Sequence, residues 1–145
     1  MILFSSALEL GDNININMNI LIIDAAGENI FLKLIVDKNI YTCSHDNSKI
    51  NFEKIIILIN EFLEKNQTSL NQIKAIYVNR GPGSFGAIRN SLATIKALFL
   101  TKGIDYYCFS FLDFNELGDV KYENIPYLCA KFKIKKNLIN PIYLS

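Results

Sequence analysis

The segment QIKAIYVNRGPGSFGAIRNSLATIKALFLTKGIDYYCFSF, residues 72 to 111, constrains the fold more than any other stretch. The apolar run over 72–79 reads as a buried strand. A turn of glycine and proline follows, then a helical pattern over about 84–101. After the short joint Lys102-Gly103, residues 104–111 read as a further strand. A strand, helix and strand joined this tightly require parallel neighbours and a right-handed crossover.

The chain upstream has a different rhythm. NILIID (19–24), IFLKLIVD (30–37) and IYTCSH (40–45) are short strand-like runs separated by AAGEN and by Lys38-Asn39. Turns this short predict an antiparallel meander. NFEKIIILINEFLEKN, residues 51 to 66, then places Phe52, Ile55, Ile56, Leu58, Ile59, Phe62 and Leu63 on one arc of a helix. That arc spans roughly 160°, wider than the roughly 100° one supporting surface needs. Either the helix is buried on two sides within the chain, or it keeps apolar surface for a partner. Ser48 or Asn51 is the expected N-cap. The predicted fold class is α/β: a mixed sheet of three antiparallel strands followed by strand–helix–strand. IPYLCAKFKIKK and NPIYLS read as short extended pieces, the last adding an edge strand.

Composition narrows the function. The formal net charge is +1, so no global electrostatic case for nucleic acid arises. Cys43, Cys108 and Cys129 show no C-x-x-C pairing, and His45 is the only histidine, so buried reduced thiols are expected and no metal or cofactor. No apolar run approaches the roughly 18–20 residues of a membrane span, and the expected location is the cytoplasm. Residues 1–18, with the asparagine-rich GDNININMN, are expected to be a loose extension.

Gly81-Pro82-Gly83-Ser84-Phe85-Gly86 matches G-x-G-x-x-G literally. In a dinucleotide fold this motif follows the first strand, and an acid ends the next one. Here three strands precede it, and Asp105 and Asp113 fall before and after that position. The structural reading is a tight turn: Gly81 and Gly83 permit positive φ, Pro82 stiffens the turn, and Ser84 caps the helix. Along that helix Phe85, Ile88, Leu92, Ile95 and Phe99 should bury against the sheet. Gly86, Asn90, Ala93, Ala97 and Thr101 form a stripe of small residues that would let another helix approach closely. Asp24, at the end of the first strand, admits an RNase H-like nuclease as an alternative. Two-metal hydrolysis needs further carboxylates, and the fourth strand ends in Asn79. Lys131, Lys133, Lys135 and Lys136 in KFKIKK read as a lysine-protected edge strand, with a phosphate contact as the alternative. Arg80 and Arg89 flank the turn, where acidic residues of a partner could meet them.

RGPGSFGAIRNSLATIKAL resembles the signature of the TsaB (YeaZ) family, matching it without a gap at Arg80 to Phe85, Arg89, Leu92, Ala93, Thr94 and Lys96. NILIIDAAGENIFLKL is similar to the family's first two strands, and NPIYLS to the ending of many members. The sequence departs from the family at Ala25-Ala26, Gly86-Ala87 and Asn90-Ser91. The resemblance implies a single lobe of the actin, Hsp70 and RNase H kind over 19–113. Residues 114–145 would be the remnant of a truncated second lobe. It also implies a non-catalytic subunit of the complex that makes threonylcarbamoyladenosine at position 37 of tRNA. TsaD would be its partner in a four-helix bundle, TsaE would join the assembled complex, and tRNA would be met only indirectly. Carried onto this chain, the bundle places Phe52, Ile56, Ile59, Leu63, Arg89, Asn90, Ala93 and Ala97 at the partner interface. Self-association in isolation and a nucleotide-binding module remain as alternatives.

Overall fold

The computed structural model describes residues 18–115 and 119–144. The expected extension over 1–18 therefore lies, but for Met18, outside the described residues. Three antiparallel strands come first: β1 (Ile20–Asp24), β2 (Asn29–Val36) and β3 (Asn39–Asp46). β4 (Ala75–Asn79) lies parallel to β1, and β5 (Asp105–Phe109) lies parallel to β4. The sheet order is β3-β2-β1-β4-β5, the mixed arrangement expected. β1 and β4 are central and buried along nearly their whole length, which is why they read as unbroken apolar runs.

The expected single helix over 51–66 is divided. α1 (Lys49–Phe52) starts at Ser48, whose Oγ accepts from the Asn51 N–H at 3.4 Å, and α2 (Ile55–Lys65) follows after Glu53 and Lys54. α3 (Phe85–Lys102) runs from the Ser84 cap to Gly103, whose φ of +69° ends it. The wide apolar arc of α2 has an internal cause. Ile55, Leu58, Ile59, Phe62 and Leu63 are all buried in one core with β1, β2 and the inner face of α3. Burying five such side chains contributes on the order of 10 kcal/mol of gross hydrophobic stabilisation. Ile59 and Leu63 are therefore core residues and not partner contacts, a correction to the sequence reading.

α3 turns Ala87, Ile88, Ser91, Leu92, Ile95 and Leu98 inward. Of the five residues expected there, Ile88, Leu92 and Ile95 are buried, and Phe99 is half-buried edge-on to Tyr106. Phe85 is 56% exposed, because it sits on the first turn, beyond the strand ends and beside the C-terminal tail.

The opposite face of the sheet carries a second core, built from Ile20, Ile22, Ala75, Tyr77 and Phe109 with Phe114, Ile125, Leu128 and Cys129. Here the extended reading of IPYLCAKFKIKK fails. Residues Ile125–Lys131 form a helix, α4, with Pro126 in its first turn, where a missing N–H costs nothing. The lysines do not share a strand face: Lys131 ends α4, Lys133 has a φ of +57°, and Lys136 makes a single antiparallel bridge to Tyr107. The tail does not form an edge strand. It returns across the glycine turn, with the Ile142 N–H donating to Arg80 O (2.7 Å) and the Leu144 N–H to Gly83 O (2.9 Å).

Candidate partner-docking surface

The glycine turn is explained by its own chain. Gly81 has a φ of +113°, and a Cβ there would lie 2.1 Å from the carbonyl oxygen of Ile142. A Cβ on Gly83 would lie 2.9 Å from the Ala26 Cα, and one on Gly86 would lie 2.7 Å from the Phe52 ring. The Ser84 Oγ accepts from the Ala87 N–H at 3.4 Å, the cap expected. Gly81, Gly83 and Gly86 thus make room for the tail, β1's exit and α1. The tail crosses this turn, with the Ile142 carbonyl against Gly81 and the Leu144 N–H on Gly83 O, so the glycines are accounted for without a ligand.

Asp24 is likewise engaged internally. Its Oδ1 accepts from the Ala26 N–H and from Asn79 Nδ2, each at 3.1 Å, and its Oδ2 accepts from the Tyr122 hydroxyl at 2.6 Å. Asn79 is 4% exposed, and its Oδ1 accepts from the Gly81 N–H at 2.8 Å. This network ties the ends of β1 and β4 to the turn. Burial, reinforced by the bond to Asp24, pushes the Tyr122 phenol well above its ordinary pKa, so it stays a neutral donor. No group of three or more His, Cys, Asp or Glu able to hold a metal ion occurs among the described residues. Asp113 accepts from Arg80 through Nη2 (2.6 Å) and Nε (3.3 Å), and from the Ser110 N–H (2.8 Å). Arg80 is therefore engaged within its own chain, through Asp113 and the Asn140 carbonyl. Tyr122 escaped the sequence reading. Asp113 had a usable signal, since Ser110-x-x-Asp113 is a capping-box spacing.

What remains open is the outer face of α3. Arg89, Ala93, Lys96, Ala97 and Thr101 are exposed, Leu100 is 70% exposed, and Asn90 and Gly86 are half-buried. The polar side chains along it are turned back onto their own helix. Asn90 Nδ2 donates to Gly86 O (2.8 Å), Thr94 Oγ1 to Asn90 O (2.8 Å) and Thr101 Oγ1 to Ala97 O (2.7 Å). Arg89 lies over the Phe85 ring, 5.8 Å from its centroid. Beside this face, Phe52 and Ile56 are half-buried and Ile50 is 75% exposed. An exposed helix face of a monomer is normally charged. This one sets Ala93, Ala97 and Leu100 beside Arg89 and Lys96, and its small side chains suit close packing of another helix. Among the described residues no helix is long and apolar enough to cross a membrane.

Comparison with known proteins agrees with this architecture. The family model described as "TsaD: tRNA N6-adenosine threonylcarbamoyltransferase" matches residues 47–130, more than half of the chain. A curated relative, the tRNA threonylcarbamoyladenosine biosynthesis protein TsaB of Buchnera aphidicola subsp. Baizongia pistaciae (strain Bp), is 35% identical over 80 residues, covering 46% of this chain and 36% of the relative. Among solved structures, YeaZ from Pseudomonas aeruginosa superposes with a TM-score of 0.59 at 17% identity, over 64% of this chain and 44% of that one. A second, described as an uncharacterized protein with similarity to peptidase YEAZ from Pseudomonas aeruginosa, gives 0.59 and 17% over 64% and 43%. The fold and the family match together define an α/β lobe of the actin and Hsp70 kind, belonging to the TsaD family. Within that family the curated relative the chain resembles carries the name TsaB, and the solved structures it resembles in fold carry the name YeaZ. It spans less than half the length of the relatives it matches.

Proposed function

We propose that the chain is a non-catalytic subunit in the synthesis of tRNA threonylcarbamoyladenosine, and that it pairs with TsaD through the outer face of α3. The observation that carries this reading is that face: Ala93 and Ala97 flanked by exposed Phe85 and Leu100, with its amide and hydroxyls satisfied by the helix itself. Phe52, Ile56, Arg89 and Asn90 border it and complete the surface a helix pair would cover. The relative's name ties it to this tRNA modification. The non-catalytic role is supported by the side chains of Asp24 and Asp113, whose oxygens are taken up within the chain. TsaE joins once the pair has formed, tRNA is met through the assembled complex, and the site of action is the cytoplasm.

Co-expression with TsaD of the same organism tests this. The expected result is a co-purifying pair and modified tRNA. Ala93→Glu together with Ala97→Glu places two charges on exposed positions, so folding is retained within about 0.5 kcal/mol. Burying them against a partner without counter-charges should weaken capture by about ten-fold or more. Capture that is absent, or that ignores both substitutions, refutes the assignment.

A further inference from the structure

The side of the sheet away from α2 and α3 holds a feature that docking does not use. Tyr77 of β4 and Tyr107 of β5 stack there, with ring centroids 4.8 Å apart and planes 9° from parallel. With the underside of α4, including Cys129, and with Lys133 and Lys136, they line a hollow of about 300 Å³. That is the lower end of the roughly 300–1,000 Å³ typical of small-ligand clefts.

The wall carrying the lysines is fixed in place. The Ile134 N–H donates to Cys129 O (2.9 Å) and the Asn137 N–H to Tyr106 O (2.8 Å). The Asn137 side chain accepts from the Tyr106 N–H (2.9 Å) and donates to Asp105 Oδ1 (3.0 Å), and the Tyr106 hydroxyl donates to Asn137 O (3.0 Å). Lys133 and Asn137 both take left-handed φ values, +57° and +63°, so the loop has a specified shape.

Two groups in this hollow lack partners. Tyr77 is 7% exposed, yet its hydroxyl has no hydrogen-bond partner among the described residues. It is not sealed in the core either, since it is absent from the fully buried unpaired atoms, and the residue lines the hollow. Buried hydroxyls ordinarily find a partner. Burial, then the neighbouring Cys129 and Tyr107, raises the Tyr77 pKa, so the group is a neutral donor. Lys133 has no carboxylate within reach among the described residues, and Lys136 is only 3.8 Å from a half-exposed Asp105.

We infer that this hollow binds a nucleotide unit, its phosphate on Lys133 and Lys136 and its base against the tyrosine pair. Two cations at one rim select an anion. An aromatic wall accepts a planar ring in a sequence-tolerant way, and the free phenol adds one hydrogen bond. The inference is independent of the docking face, which lies across the sheet. A free nucleotide and a nucleotide within an RNA strand present the same chemistry.

Calorimetric titration of the full chain with AMP, with hexauridylate and with inorganic phosphate tests it and separates the two sources. Saturable binding of both organic ligands places a mononucleotide in the hollow, and binding of hexauridylate alone assigns it to an RNA strand. Either supports the inference, provided the variants respond. Lys133→Glu with Lys136→Glu, both exposed, should weaken binding at least about ten-fold. Tyr77→Phe keeps the ring and removes only the hydroxyl, and should weaken it about five-fold. Inorganic phosphate that binds as tightly as AMP, affinity unchanged in either variant, or no saturation by about 1 mM overturns the inference.

Discussion

Gly81→Ala examines the claim that the glycine turn is shaped by the tail and not by a ligand. The native φ of +113° is outside what alanine adopts comfortably, and this backbone strain costs about 1–3 kcal/mol. The new methyl would also lie 2.1 Å from the Ile142 carbonyl oxygen, so the tail must move. Moving it breaks the bonds from Ile142 to Arg80 and from Leu144 to Gly83, each worth about 1 kcal/mol net. The sum is about 3–5 kcal/mol. Urea unfolding followed by circular dichroism measures it. Repeating the substitution in a chain ending at Asn140 removes the clash and leaves only the strain. The cost should then fall to about 1–3 kcal/mol, and the difference is the coupling between turn and tail. Gly27→Ala is the control: a methyl there would meet nothing within 4 Å, and it should change stability by less than about 0.5 kcal/mol. An equal cost in the full and shortened chains would refute the reasoning.

Two further measurements bear on the opposite face of the sheet. Burial raises the pKa of Glu123, but hydrogen bonds from its own backbone and from Lys33 (3.1 Å) outweigh it, so its carboxyl titrates below the usual 4.5. Its folded value lies below its unfolded value, so its contribution is fully present above about 4.5 and is lost as pH falls through the folded value. Glu123→Gln should flatten that part of the acid limb in urea titrations, and an unchanged limb counts against the pair. Burial pushes the Cys108 and Cys129 thiols up to about 12, while Cys43 is only half-buried. Ellman's reagent at about pH 8 should therefore label Cys43 first and the other two only on unfolding; equal rates in the native chain would contradict the packing.

The sheet was legible because each strand's apolar run is bounded by turn residues, and the crossover because its joints are short. α4 was missed although Ile125, Leu128, Cys129 and Phe132 follow helical spacing. A proline breaks a helix interior, but Pro126 occupies the first turn, where helices tolerate it. The division between α1 and α2 left no mark, because Phe52 and Ile55 continue one wheel. The interruption sets Phe52 against Gly86, a contact made across 34 residues that periodicity does not encode. The same limit hid the partner of Asp24: Tyr122 lies 98 residues away in sequence. A local reading recovers elements and faces. It groups residues onto one surface only when they are close in sequence, as in the small stripe of α3.

That stripe and the tyrosine hollow sit on opposite faces of one sheet, and this separation has a measurable consequence. In β1, Leu21 and Ile23 face the core under α2 and α3, while Ile20 and Ile22 face the core under α4. The two surfaces share no side chain, and the five-stranded sheet lies between them. Substitutions at sites that share no contacts combine additively. Ala93→Glu with Ala97→Glu should therefore weaken TsaD capture about ten-fold or more and leave nucleotide affinity unchanged. Lys133→Glu with Lys136→Glu should do the reverse, and the fourfold variant should show both losses at their separate sizes. Loss of both activities in either double variant, with thermal stability intact, would mean that one surface serves both ligands and that the sheet does not insulate them.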